Sequence, residues 1–299
     1  MTRRLRLTIA GGLLLALMVA LFAIFGNEGQ NTAYQPQNEF KLDDWVPIHI
    51  GSLNLSINKA VMYLFLASAF TVWLMVYIAK RMQDRPNRVQ TAVETVYDLA
   101  YSNIVRGNMD EDMARKWFPF VAALFLWILF SNLLGYIPLP TNTEAKFNVF
   151  GAHIPAFAIY AATANISIPL VLTLVVWFSY HVEGIRAKGV RKYLASWIPA
   201  GVPDAARGPL FAIEVVSHFV RIISLTVRLF ANILAGHMLI LFMGGGLVVL
   251  LGTAYWGPAT VALAVAFFLF EVILIAGLQA YIFATLTAIY LGGAVAETH

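Results

Sequence analysis

The chain has no cysteine. That excludes disulfides, thiolate metal sites and cysteine nucleophiles. It is also poor in charge. Only 12% of its 299 residues are Asp, Glu, Lys or Arg, about half the share in soluble domains. So few charges cannot cover a soluble surface, and 60% hydrophobic residues cannot all be interior in a chain this size. No basic cluster interleaves with aromatics, so the +4 net charge does not point to nucleic acid. There is no GxxxxGK[ST] phosphate loop. The spacing of His and acids suggests no tetrahedral metal cage, and no cofactor is expected. Gly244 to Gly246 lacks a dinucleotide-binding context and reads as a turn. What is present is a set of long apolar runs, which predicts an all-α polytopic membrane protein with the lipid bilayer as its surroundings.

About 20 apolar residues span the hydrocarbon core. Leu7 to Phe25 is the first such run, preceded by Arg3, Arg4 and Arg6, which fits either a signal peptide or a signal anchor. The expected domains are therefore residues 1–26 as that segment, 27–56 as an extracytoplasmic stretch and 57–299 as the membrane domain. Further spans are predicted at Ala60 to Ala79, Trp117 to Pro138 and Ala156 to Tyr180. Tyr97, Tyr101 and Trp117 suit the aromatic belts at span ends. The acids Asp110, Glu111 and Asp112, followed by Arg115 and Lys116, read as a solvated loop.

Segment 80–116 holds seven Lys and Arg, segment 182–207 holds five, and the intervening loops hold one or none. The basic side is cytoplasmic by the positive-inside rule. Both termini are then expected in the cytoplasm, if residues 1–26 are retained. The last two apolar segments, Pro209 to Met243 and Pro258 to Leu291, are too long for simple crossings. As helices they measure about 52 Å and 51 Å, against about 30 Å of hydrocarbon. Two steeply tilted antiparallel helices joined by an outward-facing turn fit these lengths; ordinary spans with extramembrane extensions are the other reading.

Four charges remain inside the deep segments: Glu214, Arg221, Arg228 and Glu271, with His218 and His237 beside them. A charge at mid-bilayer costs at least about 2.5–3.5 kcal/mol, so such residues mark pathways or partners. At 100° per residue Glu214, Ser217, His218, Arg221, Ser224, Arg228 and Asn232 share one helix face. That stripe either packs against a neighbouring helix, with Glu214 paired to Arg221 or His218, or faces a pathway. Within two turns of Arg228 its own helix supplies no acid. Its partner is either Glu271 or a carboxylate on another subunit. His237 follows Arg228 by nine residues and faces the other side of the helix. A histidine titrates near neutrality and can relay protons, and Glu271 is the only acid in the facing helix.

The run Ser224-Leu-Thr-Val-Arg228-Leu-Phe-Ala-Asn232-Ile-Leu-Ala-Gly236-His237 resembles the signature S-L-x-x-R-L-F-x-N-x-x-A-G of subunit a of bacterial F-type ATP synthases. Ser131-Asn-Leu-Leu-Gly-Tyr-Ile-Pro138 is similar to that family's S-N-L-L-G-x-I-P, and Leu278 to Thr287 is similar to its last helix. The resemblance runs from about Lys80 to His299. It implies a stator subunit of the membrane Fo sector with no catalytic site of its own. The implied partners are the c-subunit ring, the subunit b stalk and the remaining synthase subunits, in the bacterial inner membrane.

By position, Arg228 matches the arginine that faces the c ring and separates two aqueous half-channels. Glu214, Ser217, His218 and Ser224 would line the cytoplasmic one, and His237 and Glu271 the outward one. Asn232 belongs to the signature, and Gln279 matches a glutamine near the arginine. In the family's pattern the polar residue precedes that glutamine by seven positions; Glu271 precedes Gln279 by eight. A π-bulge near Gly277 would absorb the extra residue. The competing reading is a stand-alone ion or anion transporter in which Arg221 and Arg228 bind substrate.

Overall fold

A computed structural model describes residues 3–25, 35–50, 53–142, 146–149, 152–198, 201–246 and 257–296. The architecture is helical, as the composition requires. The helices are α1 (Arg3–Phe25), α2 (Lys59–Ala79), α3 (Arg88–Asp98), α4 (Glu111–Gly135), α5 (Ser167–Lys188), α6 (Val190–Ala195), α7 (Asp204–Leu241), α8 (Gly257–Phe270) and α9 (Ala276–Val295). Short two-stranded ribbons lie between some of them. Five runs among the described residues are long and apolar enough to cross a membrane. Two of these are much longer than a crossing needs: Asp204–Gly246 has 43 residues and Pro258–Val295 has 38. The turn expected between them falls largely on residues 247–256, outside the described residues.

Several boundaries differ from the sequence reading. The loop expected at Asp110 to Asp112 ends at Asp110: α4 starts at Glu111, with Glu111 and Asp112 in its first turn. Acids there face the positive end of the helix dipole, which favours helix over loop. The fourth span begins at Ser167, not Ala156. Phe157–Ala158 instead pairs antiparallel with Leu139–Pro140, and the Asn165 side chain accepts a hydrogen bond from the Ser167 N–H. The third span ends at Gly135, not Pro138. α7 starts at Asp204, ahead of the expected Pro209, which falls in its second turn. Gly244 to Gly246 does not stop this helix at once, because a π-helical turn spans Phe242–Gly246.

The chain falls into two units. One comprises Ala60–Gly135, Ala161–Asn232 and Ala276–His299. Its core packs α4, α5 and α9. Ala276, Ala280, Ala284 and Ala288 recur every four residues on α9 and are buried. Small side chains at that spacing let helix backbones approach, which drives association where lipid removes the hydrophobic incentive. Ile128, Val176, Phe283 and Leu291 fill the remaining space. Buried Asn132 receives the Thr163 hydroxyl at 2.7 Å and donates to the Ala276 carbonyl at 3.3 Å. Lys116 pairs with Glu183, which is buried. Tyr97 and Tyr101 both meet Phe118 edge-on.

The other unit comprises Met1–Lys59, Tyr136–Tyr160 and Ile233–Ile275. Here a 3-10 turn at Pro36–Phe40 is tied down by Lys59. The Lys59 ammonium is buried, donates to the Glu39 carbonyl and lies 5.1 Å from the Tyr160 ring centre. The end of α7 and all of α8 belong to this unit, and α8 passes directly into a π-helical turn at Glu271–Ile275. That turn stands just before Gly277 and supplies the added residue that the Glu271–Gln279 spacing called for.

Candidate functional site

α7 carries the polar stripe, and its surroundings divide that stripe. In the first half of the helix the stripe is half-buried and borders a cavity. Arg221 donates to Glu214 at 3.2 Å, and His218 Nε2 stands 3.7 Å from the same carboxylate oxygen. Both partners foreseen for Glu214 are thus engaged at once. His218 is buried, and its Nδ1 meets the Tyr180 hydroxyl of α5 at 2.9 Å. The Arg221 guanidinium lies over the Tyr290 ring of α9 at 5.2 Å. These groups border a cavity of about 360 Å³, together with Tyr193, Trp197 and Lys188. That volume holds several waters. Ser217 is half-buried on the same face.

Further along α7 the same face is open. Ser224, Arg228 and Asn232 are exposed, and Val220, Ile223 and Val227 lie exposed among them. Arg228 makes only a long contact to the Ser224 hydroxyl, at 3.5 Å. Among the described residues it forms no ion pair. Arginine stays charged at any physiological pH, so this cation lies on an exposed helix face without a carboxylate from the described residues. Gln279 is buried on α9.

The second cluster belongs to the other unit and is packed. His237 is fully buried, and its Nδ1 contacts the Ile233 carbonyl at 3.0 Å. The Tyr136 ring lies against the His237 ring with centres 4.7 Å apart. The Tyr136 hydroxyl donates to the Glu271 carboxylate at 2.8 Å. Glu271 is buried, and Tyr136 is its partner rather than Arg228. Phe268 closes the aromatic side of the cluster. Gly236 explains how a carboxyl fits there: a Cβ at that position would overlap the Glu271 carboxyl itself. The π-helical turn that begins at Glu271 sets the carboxyl's direction.

Sequence reasoning missed the tyrosines. Tyr136 joins His237 to Glu271, and Tyr180, Tyr193 and Tyr290 surround the α7 cavity. Tyr136 had a signal, its place in the Ser131 to Pro138 run. Tyr290 had one too, since Ile289-Tyr-Leu continues the stretch similar to the last helix, whereas Tyr180 and Tyr193 come from segments with no local pattern, and only the tertiary fold gathers them.

The chain matches the profile of the family described as ATP synthase A chain over residues 61–292. It belongs to that family. Similar curated relatives are each named ATP synthase subunit a. The one from Rubrobacter xylanophilus is 36% identical over 254 residues, covering 83% of this chain and 88% of the relative. The one from Paramagnetospirillum magneticum is 34% identical over 265 residues, covering 87% of this chain and 98% of the relative. The one from a Methylobacterium is 34% identical over 270 residues, covering 88% and 98%. Both clusters and Arg228 lie inside the span matched by the ATP synthase A chain profile, whereas α1 lies before it.

Proposed function

We propose that the chain is the stator subunit a of the Fo sector of a bacterial rotary ATP synthase, carrying protons to and from carboxylates on a ring of c subunits. The observation that carries this reading is Arg228: a permanent cation on an exposed helix face that it shares with Ser224, Asn232 and apolar residues but with no acid, and with no ion-pair partner among the described residues. A carboxylate brought opposite it by another subunit is held ionised, because a nearby opposite charge favours the charged form by about one to three pKa units. The acid therefore releases its proton as it passes Arg228, and Arg228 stops protons from running straight through.

In this reading the Glu214–His218–Arg221 cavity lines the cytoplasmic half-channel, with Ser217 and Ser224 beside it. Tyr136, His237 and Glu271 form the outward one. Asn232 and Gln279 support the region of Arg228. Subunit b and the remaining synthase subunits hold the chain still while the ring turns. Residues 57–299 act as the membrane domain, residues 27–56 lie outside the cytoplasm, residues 1–26 are a signal peptide or anchor, and both ends face the cytoplasm if that segment is retained, in the bacterial inner membrane. The chain itself makes and breaks no covalent bonds other than those to protons.

The test is Arg228→Ala in the complete synthase. The variant is expected to assemble and to lose proton-driven ATP synthesis by about a hundredfold or more, the scale of losing a preorganised charge. Normal proton-driven synthesis by the assembled variant would overturn the reading.

A further inference from the structure

His181 belongs to none of the stretches on which the resemblance rests, yet it is held with as much care as His218. It sits on α5, and its Nδ1 meets the Tyr193 hydroxyl at 3.0 Å. Two local features bring that hydroxyl there. Gly189, at φ +77°, turns the chain sharply between α5 and α6. Gly184 then lets α6 close down, since a Cβ there would strike the Tyr193 ring. Burial pushes the Tyr193 hydroxyl above its ordinary pKa, so it stays protonated.

The result is a pair of matching arms. His218 has its Nδ1 on Tyr180 at 2.9 Å, and His181 has its Nδ1 on Tyr193 at 3.0 Å. The two imidazoles meet edge to face with centres 4.8 Å apart, and Trp197 lies against both. On each ring Nε2 is the nitrogen not tied to a tyrosine, and His218 Nε2 is buried without a hydrogen bond. The titratable and charged groups facing the pair are Tyr180 on α5, Tyr193 on α6, Glu214 and Arg221 on α7, and Tyr290 on α9. Of the pair, His218 lines the cavity that Lys188 also borders, and His181 stands behind it.

We propose that His181 is a second proton station beside His218, and that Tyr193 is the positioning residue that aims it. This rests on the half-channel reading of the cavity. In the step an N–H bond breaks at Nε2 of one protonated ring and an N–H bond forms at Nε2 of the other, directly or through one bridging water. One imidazolium becomes imidazole and the other imidazole becomes imidazolium, and only a proton moves. Glu214 and the cavity water connect the pair onward. The Tyr193 bond holds His181 Nδ1 and leaves Nε2 as the exchanging atom.

The test uses the complete synthase in inverted membrane vesicles, with ATP-driven proton uptake followed across a pH series for His181→Gln and Tyr193→Phe. His181→Gln keeps size and polarity but cannot carry the proton. It is expected to slow uptake at least about tenfold, the lower range of what a proton-transferring group contributes. Tyr193→Phe is expected to lose less and to move the pH profile. A His181→Gln variant with unchanged rate and pH profile would overturn the relay. If His181→Gln does not assemble, Tyr193→Phe decides: a moved pH profile supports the relay, and an unchanged one overturns it. His218→Gln and Arg228→Ala measured alongside separate the two claims. If they abolish uptake while His181→Gln leaves it intact, only the relay falls. If they too leave it intact, the half-channel reading falls with it.

Discussion

The two polar clusters solve the same problem, holding ionisable groups among apolar helices, in opposite ways. The Glu214–His218–Arg221 cluster surrounds a cavity of about 360 Å³ and contains both signs of charge. The Tyr136–His237–Glu271 cluster is packed, with a single carboxylate held by one phenol. Water can substitute for a lost partner in the first. In the second a lost partner leaves a buried group unsatisfied, which costs about 1–3 kcal/mol or more for a charge. The contrast teaches that ionisable groups on one helix, Glu214 and His237 of α7, need not share one environment. Tolerance to mutation depends on whether space for water adjoins the residue.

The largest expected effect is at the packed cluster's tightest point. Gly236→Ala places a Cβ on the Glu271 carboxyl. It is expected to abolish assembly or proton-driven synthesis, checked by subunit content of purified complexes and by ATP synthesis in vesicles. Normal values for both would mean the Gly236–Glu271 approach is not needed. Next comes Tyr136→Phe, which removes the only hydrogen bond the described residues give Glu271. It is expected to slow synthesis about tenfold, corresponding to about 1.4 kcal/mol. Glu214→Gln in the open cluster is expected to cost only a few-fold in the same assay, because cavity water can bridge His218 and Arg221. A loss at Glu214 equal to that at Tyr136 would erase the contrast.

The smallest effect is a labelling difference that the absence of cysteine makes clean. Ser196→Cys borders the cavity and Ile233→Cys is fully buried beside His237. A charged thiol reagent is expected to label the first rapidly and the second slowly, by mass spectrometry. Equal rates would contradict the description of one cluster as open and the other as packed.

Much of this was legible before any fold was seen. Apolar run lengths located the spans, and the stripe on α7 followed from a 100° step. The eight-residue Glu271–Gln279 spacing pointed to an inserted residue, and the π-helical turn at Glu271–Ile275 supplies it. Helix ends were less legible, because Asp110 to Asp112 reads equally as loop or first turn until the dipole of α4 is considered. The start of α5 was missed because Ala156 to Ile166 is apolar and carries no helix-breaking residue. Its pairing with Leu139–Pro140, the Asn142 N–H on the Ala156 carbonyl, a 3-10 turn at Ala162–Ala164 and the Asn165 hydrogen bond hold it out of the helix. The tyrosine partners were illegible for a different reason. Tyr193 reaches His181 through a glycine turn and a glycine gap, and neither feature has a periodicity to read.

The central claim is that the partner of Arg228 comes from outside this chain. Its most direct measurement is a density map of the assembled synthase, read at the Arg228 face of α7. The account predicts a c-subunit carboxylate opposite the guanidinium, within reach of an ion pair or one bridging water. A map in which Arg228 faces lipid alone, or pairs with Glu271 of its own chain, would contradict it.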